Sequence, residues 1–395
     1  MWYYQAINEH SQKIKGVINI NDENELRSLL LEQNYYLTKI KKKHKNRFFY
    51  KRKISQSTLS SFCRHWSALI NSGMEINHAL GAIRDYIENK TLRNVLTSIN
   101  IELTKGKEIY QAFMNYSNLF PKFFIYMLEI GEKTGKMEWI LKQLAFYYEK
   151  ENQIKQKVKN AFQYPKILLL LSLVVIIVLI FYVLPIFNQM FIQLGGDLPS
   201  ISIFVNYISL IIHRYRLTLG LLLIIIFILS KRLKGKMKLY VIDRLKLIVP
   251  IYKKIYLSTL TTRLIRGLTI LLKSAVGIIE SLEMIKPLFE NKIIEKRLDN
   301  AIILIKEGNN LSKVLKQMKI FPFSLMEIIS IGEKSGNLSL LLEESAPFFD
   351  EQVINGSERL TKLIEPLMVL LIAFIIIILL FSVFFPVLKM IEFNW

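Results

Sequence analysis

The chain has 395 residues, too many for one small core; 52% of them are apolar, yet it carries a formal charge of +21 from 53 basic and 32 acidic side chains. A soluble domain that apolar is seldom so basic, whereas apolar membrane spans flanked by cationic surface reconcile the two figures, because anionic headgroups attract Lys and Arg. Nucleic acid also suits such charge but calls for a polar, soluble module, and the single cysteine, Cys63, excludes an intrachain disulfide and a Cys-based zinc site.

The opening Met1-Trp2-Tyr3-Tyr4-Gln5 has no apolar run of the kind a signal peptide needs, so none is expected. Trp2 and Tyr4, with Val17, Ile18 and Ile20, predict two short strands around a polar turn. A helix from about Glu23 to Gln33 and a strand through Tyr36-Leu37 to Ile40 complete a small α+β module over residues 1–53. It ends in a basic run, Lys41 to Lys53, with Phe48, Phe49 and Tyr50 inside it. That run reads as a solvated linker, the alternative being a segment that binds lipid headgroups.

Residues 54–165 read as a helical domain. Leu59, Phe62, Trp66, Leu69 and Ile70 fall at three- and four-residue steps and make one apolar stripe, stopped by Asn71-Ser72-Gly73. Ile76, Leu80, Ile83 and Ile87 make a second, and Leu92, Val95, Leu96, Ile99 and Leu103 a third, ended by Gly106. Pro121 opens a helix through Phe124, Met127 and Leu128 that Gly131 is expected to close. Met137, Leu141, Leu144 and Tyr148 begin the last helix, expected to run on into a membrane span.

Three spans are expected, at 166–187, 216–233 and 366–388. The apolar run Ile167 to Ile186 is twenty residues, about 30 Å of helix and enough to cross the hydrocarbon layer. Pro366 to Leu388 is at least as long and free of charge. Leu217 to Ser230 is shorter, and its flanking Arg214, Arg216, Lys231, Arg232 and Lys234 must snorkel if it crosses; a buried soluble helix is the competing reading. Cations gather before the first span and after the middle one, which places the N-terminal half and a second domain at 234–365 in the cytoplasm. The loop at 188–215 and the tail at 389–395 then lie in the periplasm. No span carries an ionisable residue in its interior, which argues against a proton relay, an ion pathway or an intramembrane protease.

The two cytoplasmic stretches are copies of one another. Gly131-Glu132-Lys133-Thr134-Gly135 recurs as Gly332-Glu333-Lys334-Ser335-Gly336, Phe120-Pro121 as Phe321-Pro322, and Pro165 as Pro366, each 201 residues on. Arg64 matches Arg266, Leu69-Ile70 match Leu271-Leu272, Ser72 matches Ser274 and Gly106 matches Gly308, all 202 residues on, so one residue is inserted between Gly106 and Phe120. Where the first copy has Gly73 the second has Ala275, with a glycine at 277 instead. If Gly73 takes a left-handed cap, the second copy is expected to end that helix differently.

No catalytic, cofactor or metal constellation is expected. The fragment Gly267 to Ser274 looks like a phosphate loop but has Leu272 where the glycine before the lysine must stand, and its spacing is that of a helix interior. His10, His44, His65, His78 and His213 form no ligand pair. The paired Gly-Glu-Lys-[Thr/Ser]-Gly segments (Gly131, Glu132, Gly135; Gly332, Glu333, Gly336) read as helix stop, turn and restart, with each glutamate bonding backbone N–H groups of the following helix, and with a partner contact possible on top of that.

On these motifs the chain resembles the platform proteins of type II secretion and type IV pilus assembly, the secretion F family. The resemblance also includes Tyr4-x-Ala6, Lys15-Gly16-Val17, the R-x-x-x-L-[LI]-x-S segments at 64–72 and 266–274, Ala161 to Pro165 before the first span and Glu365-Pro366 before the third. The stretch Phe187 to Pro199 reads closer to the pilus branch. The resemblance implies a mainly α fold, with two homologous cytoplasmic helical bundles, three transmembrane helices and the small N-terminal module. It implies a multi-pass protein of the bacterial inner membrane, N-terminus cytoplasmic and C-terminus periplasmic, that works as a homo-oligomer with other inner-membrane assembly proteins. A hexameric cytoplasmic ATPase would drive it, and it would lift pilin or pseudopilin subunits out of the bilayer. The rival readings are a membrane transporter, disfavoured by spans without polar groups, and a membrane-anchored nucleic-acid binder, which rests on charge alone.

Overall fold

In a computed structural model of the chain the described residues are 2–8, 13–18, 23–31, 35–42, 53–178 and 250–393, with 182, 185–186, 243–244 and 246–248 between the last two stretches. The middle span expected near 217–230, the loop before it and residues 43–52 of the basic run lie outside them. The chain divides into two compact units. The first comprises Met1–Lys155, Leu260–Glu290 and Ile294–Pro347; the second comprises Gln156–Thr259, Asn291–Ile293 and Phe348–Trp395. Most of both copies of the repeat therefore belongs to one unit.

The N-terminal module is built as its alternation requires. Strands β1 (Trp2–Asn8), β2 (Lys13–Ile18) and β3 (Tyr35–Lys42) form an antiparallel sheet in the order β2-β1-β3, with helix α1 (Glu23–Leu31) between the second and third strands in sequence. Tyr4 and Ala6 point to one face because side chains alternate along a strand. There they are buried with Ile14, Leu26, Leu30 and Tyr35, in a cluster that also takes in Ile101 of the first helical copy. The Tyr4 hydroxyl lies 3.3 Å from the Ser98 hydroxyl, and the Arg84 guanidinium sits 5.0 Å from the Tyr35 ring centre.

The first copy consists of α2 (Gln56–Asn71), α3 (Ile76–Tyr86), α4 (Lys90–Thr104), α5 (Ile109–Met114), α6 (Lys122–Thr134) and α7 (Met137–Ala161), followed by α8 (Gln163–Val178). Ser55 and Asn89 cap α2 and α4 by accepting from the N–H groups of Thr58 and Leu92. Phe62, Trp66, Phe113, Phe120 and Phe124 form its aromatic core, with centroids 4.9 to 6.5 Å apart. Helix α5 adds to the helices expected from the sequence; its Ile109, Ala112 and Phe113 stand three and four residues apart and are buried. The second copy repeats the series as α9 (Pro250–Lys273), α10 (Ile278–Ile285) with a 3-10 turn (Lys286–Phe289), α11 (Lys292–Lys306), α12 (Leu311–Gln317), α13 (Phe323–Ser335) and α14 (Leu338–Phe393).

Among the described residues three helical segments are long and apolar enough to cross a membrane: Met137–Val175, Lys253–Lys273 and Leu338–Ile377. The one at Lys253–Lys273 serves the protein interior, since 67% of its apolar window is buried. Leu260, Leu264, Leu268 and Leu271 of that helix are core residues of the second copy. The other two carry the first and third expected spans. Ile167, Leu170 and Leu171 on α8, and Leu367, Leu370 and Phe374 on α14, expose their side chains fully enough to need lipid around them.

Candidate functional site

The duplicated Gly-Glu-Lys-[Thr/Ser]-Gly segment is explained residue by residue. Gly131 and Gly332 do not end their helices: α6 runs on to Thr134 and α13 to Ser335. They are glycine because the start of the next helix passes against them. A Cβ on Gly131 would stand 3.2 Å from the Met137 Cα, and one on Gly332 would stand 2.8 Å from the Leu338 Cα. The stop is made by Gly135 and Gly336, with φ of 67° and 72°, the left-handed conformation glycine adopts without strain.

The glutamates turn backward, to the preceding helix, and not forward to the following one as expected from the sequence. Glu132 accepts from the N–H groups of Ile109 (2.7 Å) and Tyr110 (3.1 Å), and Glu333 from those of Leu311 (2.6 Å) and Ser312 (3.0 Å). These are the first residues of α5 and α12, the preceding short helices. With Glu132 still inside α6, its side chain projects from a helical turn toward the free N–H groups of the neighbouring helix. A carboxylate suits that place both as acceptor and as counter-charge to the helix dipole. Both oxygens of each glutamate are thereby occupied, which leaves neither free for acid–base work. Lys133, Thr134, Lys334 and Ser335 are exposed. The spacing of 202 persists from Ile109 to Leu311, so the inserted residue of the first copy lies beyond Tyr110.

The second departure concerns the first helix of each copy. Gly73 has φ 91° and Ala275 has φ 61°, so both take the left-handed position. Both close the helix with the same pair of bonds: Met74 N–H to Leu69 and Gly73 N–H to Ile70 in the first copy, Val276 N–H to Leu271 and Ala275 N–H to Leu272 in the second. The ends are identical, contrary to expectation, and the second copy holds an alanine where a Cβ costs about 1–2 kcal/mol. Gly277 caps α10 with an ordinary extended φ of −60° and supplies no compensating turn.

Within the first unit the two copies meet at an ionic centre. Glu151 on α7 accepts from Arg263 Nε of α9 at 3.1 Å, both side chains being largely buried. Arg263 Nη1 also donates to the Leu288 carbonyl at 2.7 Å and lies 3.7 Å from Glu290, which in turn pairs with Lys53 at 3.2 Å. Burial works against the Arg263 charge, but Glu151, Tyr147 and Glu290 outweigh it and hold the guanidinium above its ordinary pKa. Burial pushes the Tyr147 phenol well up, and Glu151 adds to that. The matched arginines of the repeat act differently. Arg64 is exposed and pairs with Glu149, whereas Arg266 is buried with its guanidinium 5.7 Å from the centre of the Phe146 ring.

The matched prolines stand in the second unit, at the mouths of the apolar helices. Pro165 has no N–H to offer the Ala161 carbonyl four residues back. The Thr361 hydroxyl lies 3.1 Å from that carbonyl and 3.1 Å from the Ser357 carbonyl of its own helix, and can donate to either. Three residues beyond Ala161, Tyr164 donates its hydroxyl to Glu365 at 3.3 Å, the residue before Pro366. Tyr164 and Glu365 are themselves repeat equivalents, so α8 and α14 touch through the same point of the motif. Among the described residues no three His, Cys, Asp or Glu side chains gather as metal ligands would.

Duplicated helical bundles, turns committed to capping and close packing, and apolar helices joined at their mouths define a membrane-anchored scaffold built by duplication. Comparison with known families places it further. The family described as Type II secretion system (T2SS), protein F matches twice, over residues 62–185 and 264–386, and the chain belongs to that family. With its exposed apolar helices it is an inner-membrane protein. It is similar to a type IV pilus assembly protein PilC of Thermus thermophilus, 27% identical over 99% of this chain and 98% of the relative. It is similar also to a type II secretion system protein F of Vibrio cholerae, 26% identical over 98% and 97%, and to one of Aeromonas hydrophila, 28% identical over 88% and 90%.

Proposed function

We propose that the chain is the inner-membrane platform of a filament-assembly machine, coupling a hexameric cytoplasmic ATPase to the extraction of pilin or pseudopilin subunits from the bilayer. The observation that carries this reading is the continuity of each copy with an apolar helix. In the second copy α14 is unbroken from Leu338 to Phe393. In the first, the bond from Phe162 N–H to Val158 and that from Lys166 N–H to Phe162 bridge the step from α7 to α8. A helical backbone that runs on from bundle to span carries displacement along its axis, although Pro165, Pro347 and Pro366 each omit one backbone bond. The energy comes from the partner, and the chain itself performs no catalysis. The N-terminus and both copies face the cytoplasm and the C-terminus the periplasm, with domains at 54–165 and 234–365 and spans at 166–187, 216–233 and 366–388. The exposed residues of the two turns, 133–134 and 334–335, are the proposed contact with the ATPase.

A strain lacking the chain is expected to lose surface filaments and to regain them with the wild-type gene; filaments in its absence would overturn the reading. Labelling a cysteine placed near Trp395 from the periplasmic side tests the orientation. The equivalent platform of a type II secretion system is supported by relatives of nearly the same identity. Loss of secreted enzymes with pili intact would favour it.

A further inference from the structure

A cleft of about 330 Å³ opens between α11 and α12 of the second copy, at the small end of the range for ligand sites. Arg297 and Asn300 stand on its α11 side, and Gln317 and Lys319 at the end of α12. Its floor is apolar and includes Leu304 and Met318, and none of its lining residues is a carboxylate. The Arg297 guanidinium donates to the Met318 carbonyl at 3.1 Å, which holds it against the residue that precedes Lys319.

The same place in the first copy is filled. Glu102, the equivalent of Leu304, is 6% exposed there and accepts from Lys107 Nζ at 2.9 Å and from Asn115 Nδ2 at 2.8 Å. Asn115 is the equivalent of Gln317, and Lys107 that of Asn309. Val95 and Ser98, the equivalents of Arg297 and Asn300, are buried, Ser98 beside Tyr4 of the N-terminal module. The repeat also accounts for Lys319. Tyr116 and Ser117 donate their N–H groups to Phe113 and Met114, as Met318 and Lys319 donate to Leu315 and Lys316. Leu119 then matches Ile320, both buried, so the second copy lacks an equivalent of Asn118. Lys319 makes the turn alone, with φ 52°, where a side chain is seldom found.

The charges decide what the cleft suits. In the first copy those of Glu102 and Lys107 cancel, whereas in the second Arg297 and Lys319 leave two positive charges at the same place. A carboxylate would match one of them; a phosphate monoester, at about −1.5 to −2, matches both, and a guanidinium meets two of its oxygens at once. The apolar floor suits an apolar body on that phosphate. We propose that the cleft binds a small phosphate monoester, whose oxygens take the place that the Glu102 carboxylate holds in the first copy. The ester is either soluble or the headgroup of phosphatidic acid.

Calorimetric titration of the full-length protein in phosphatidylcholine nanodiscs with adenosine monophosphate and with phenyl phosphate tests the proposal, adenosine and benzoate being the controls. Saturable binding of at least one ester is expected, about tenfold or more tighter than of either control. R297Q and K319Q are each expected to weaken it about tenfold. L304E, which restores the carboxylate of the first copy, is expected to abolish it, and K313Q on α12 to leave it unchanged. None of the four side chains is buried, so the melting curve is expected to hold. Exchanging part of the lipid for phosphatidic acid separates the sources. Loss of ester binding, with no loss on exchange for phosphatidylglycerol, assigns the cleft to the headgroup; retained binding assigns it to a soluble ester. No saturable binding of either ester, adenosine binding as tight as its monophosphate, or undiminished binding by L304E would overturn the proposal.

Discussion

Helices α4 and α11 occupy the same place in the repeat but different surroundings. Ile101 on α4 is wholly buried under the N-terminal module, and its equivalent Ile303 on α11 is 55% exposed. Both are isoleucine, so the residue type did not decide the environment; the presence of a neighbour did. Throughout α4 almost every residue from Val95 to Leu103 is buried, whereas on α11 burial is confined to Ile294, Leu298, Ala301 and Ile302, one stripe. A duplicated unit can therefore keep one core and still present two unlike outer surfaces, one committed to the module and one left free.

The largest expected effect lies where the copies differ most. Glu151→Ala strands the buried Arg263 guanidinium and is expected to cost about 3–5 kcal/mol, read from denaturant unfolding of the protein in micelles. Gln352→Ala, at the same place in the second copy, is expected to stay within about 0.5 kcal/mol. Equal effects would mean that the ion pair does not hold the copies together.

Close packing gives a graded test of the same comparison. Gly332→Ala is expected to destabilise by about 2–3 kcal/mol and Gly131→Ala by about 1 kcal/mol, because the intruding methyl group meets backbone more closely in the second copy. Reversal of that order would show that the second turn yields where the first does not.

Where the copies agree, the effects should agree. Glu132→Ala and Glu333→Ala each remove the acceptor for two helix N-terminal N–H groups and are expected to lower stability by about 1–2 kcal/mol. Hydrogen exchange should quicken first in α5 for one and in α12 for the other. A change confined to α7 or α14 would instead support a forward cap.

The smallest pair is the sharpest in sign. Ala275→Gly relieves a left-handed alanine and is expected to raise stability by about 1 kcal/mol, while Gly73→Ala lowers it by about the same. The melting temperature of each variant checks the sign. No gain at 275 would show that the strain is absent.

Much of this was legible in the residues. The offsets of 201 and 202 identified the duplication, because landmarks spaced alike twice in order cannot arise from composition. Apolar stripes located most helices and the strands of the N-terminal module, since burial of one face imposes its period on the sequence. Charge-free runs marked the first and third spans, because lipid admits few other side chains. The Gly-Glu-Lys segments were recognised as structural, but their geometry was not: a glycine gives no sign whether it serves a left-handed turn, as Gly135 does, or a close approach, as Gly131 does. Nor does a glutamate tell which helix end it caps, since Glu132 reaches back more than twenty residues along the chain. Ala275 misled because residue preference is a local energy of about 1–2 kcal/mol, and the packing of the helix on either side outweighs it. The unlike surroundings of the two copies were hidden for the same reason. Ile101 and Ile303 look alike as apolar residues, and only the folded chain decides which of the pair is covered.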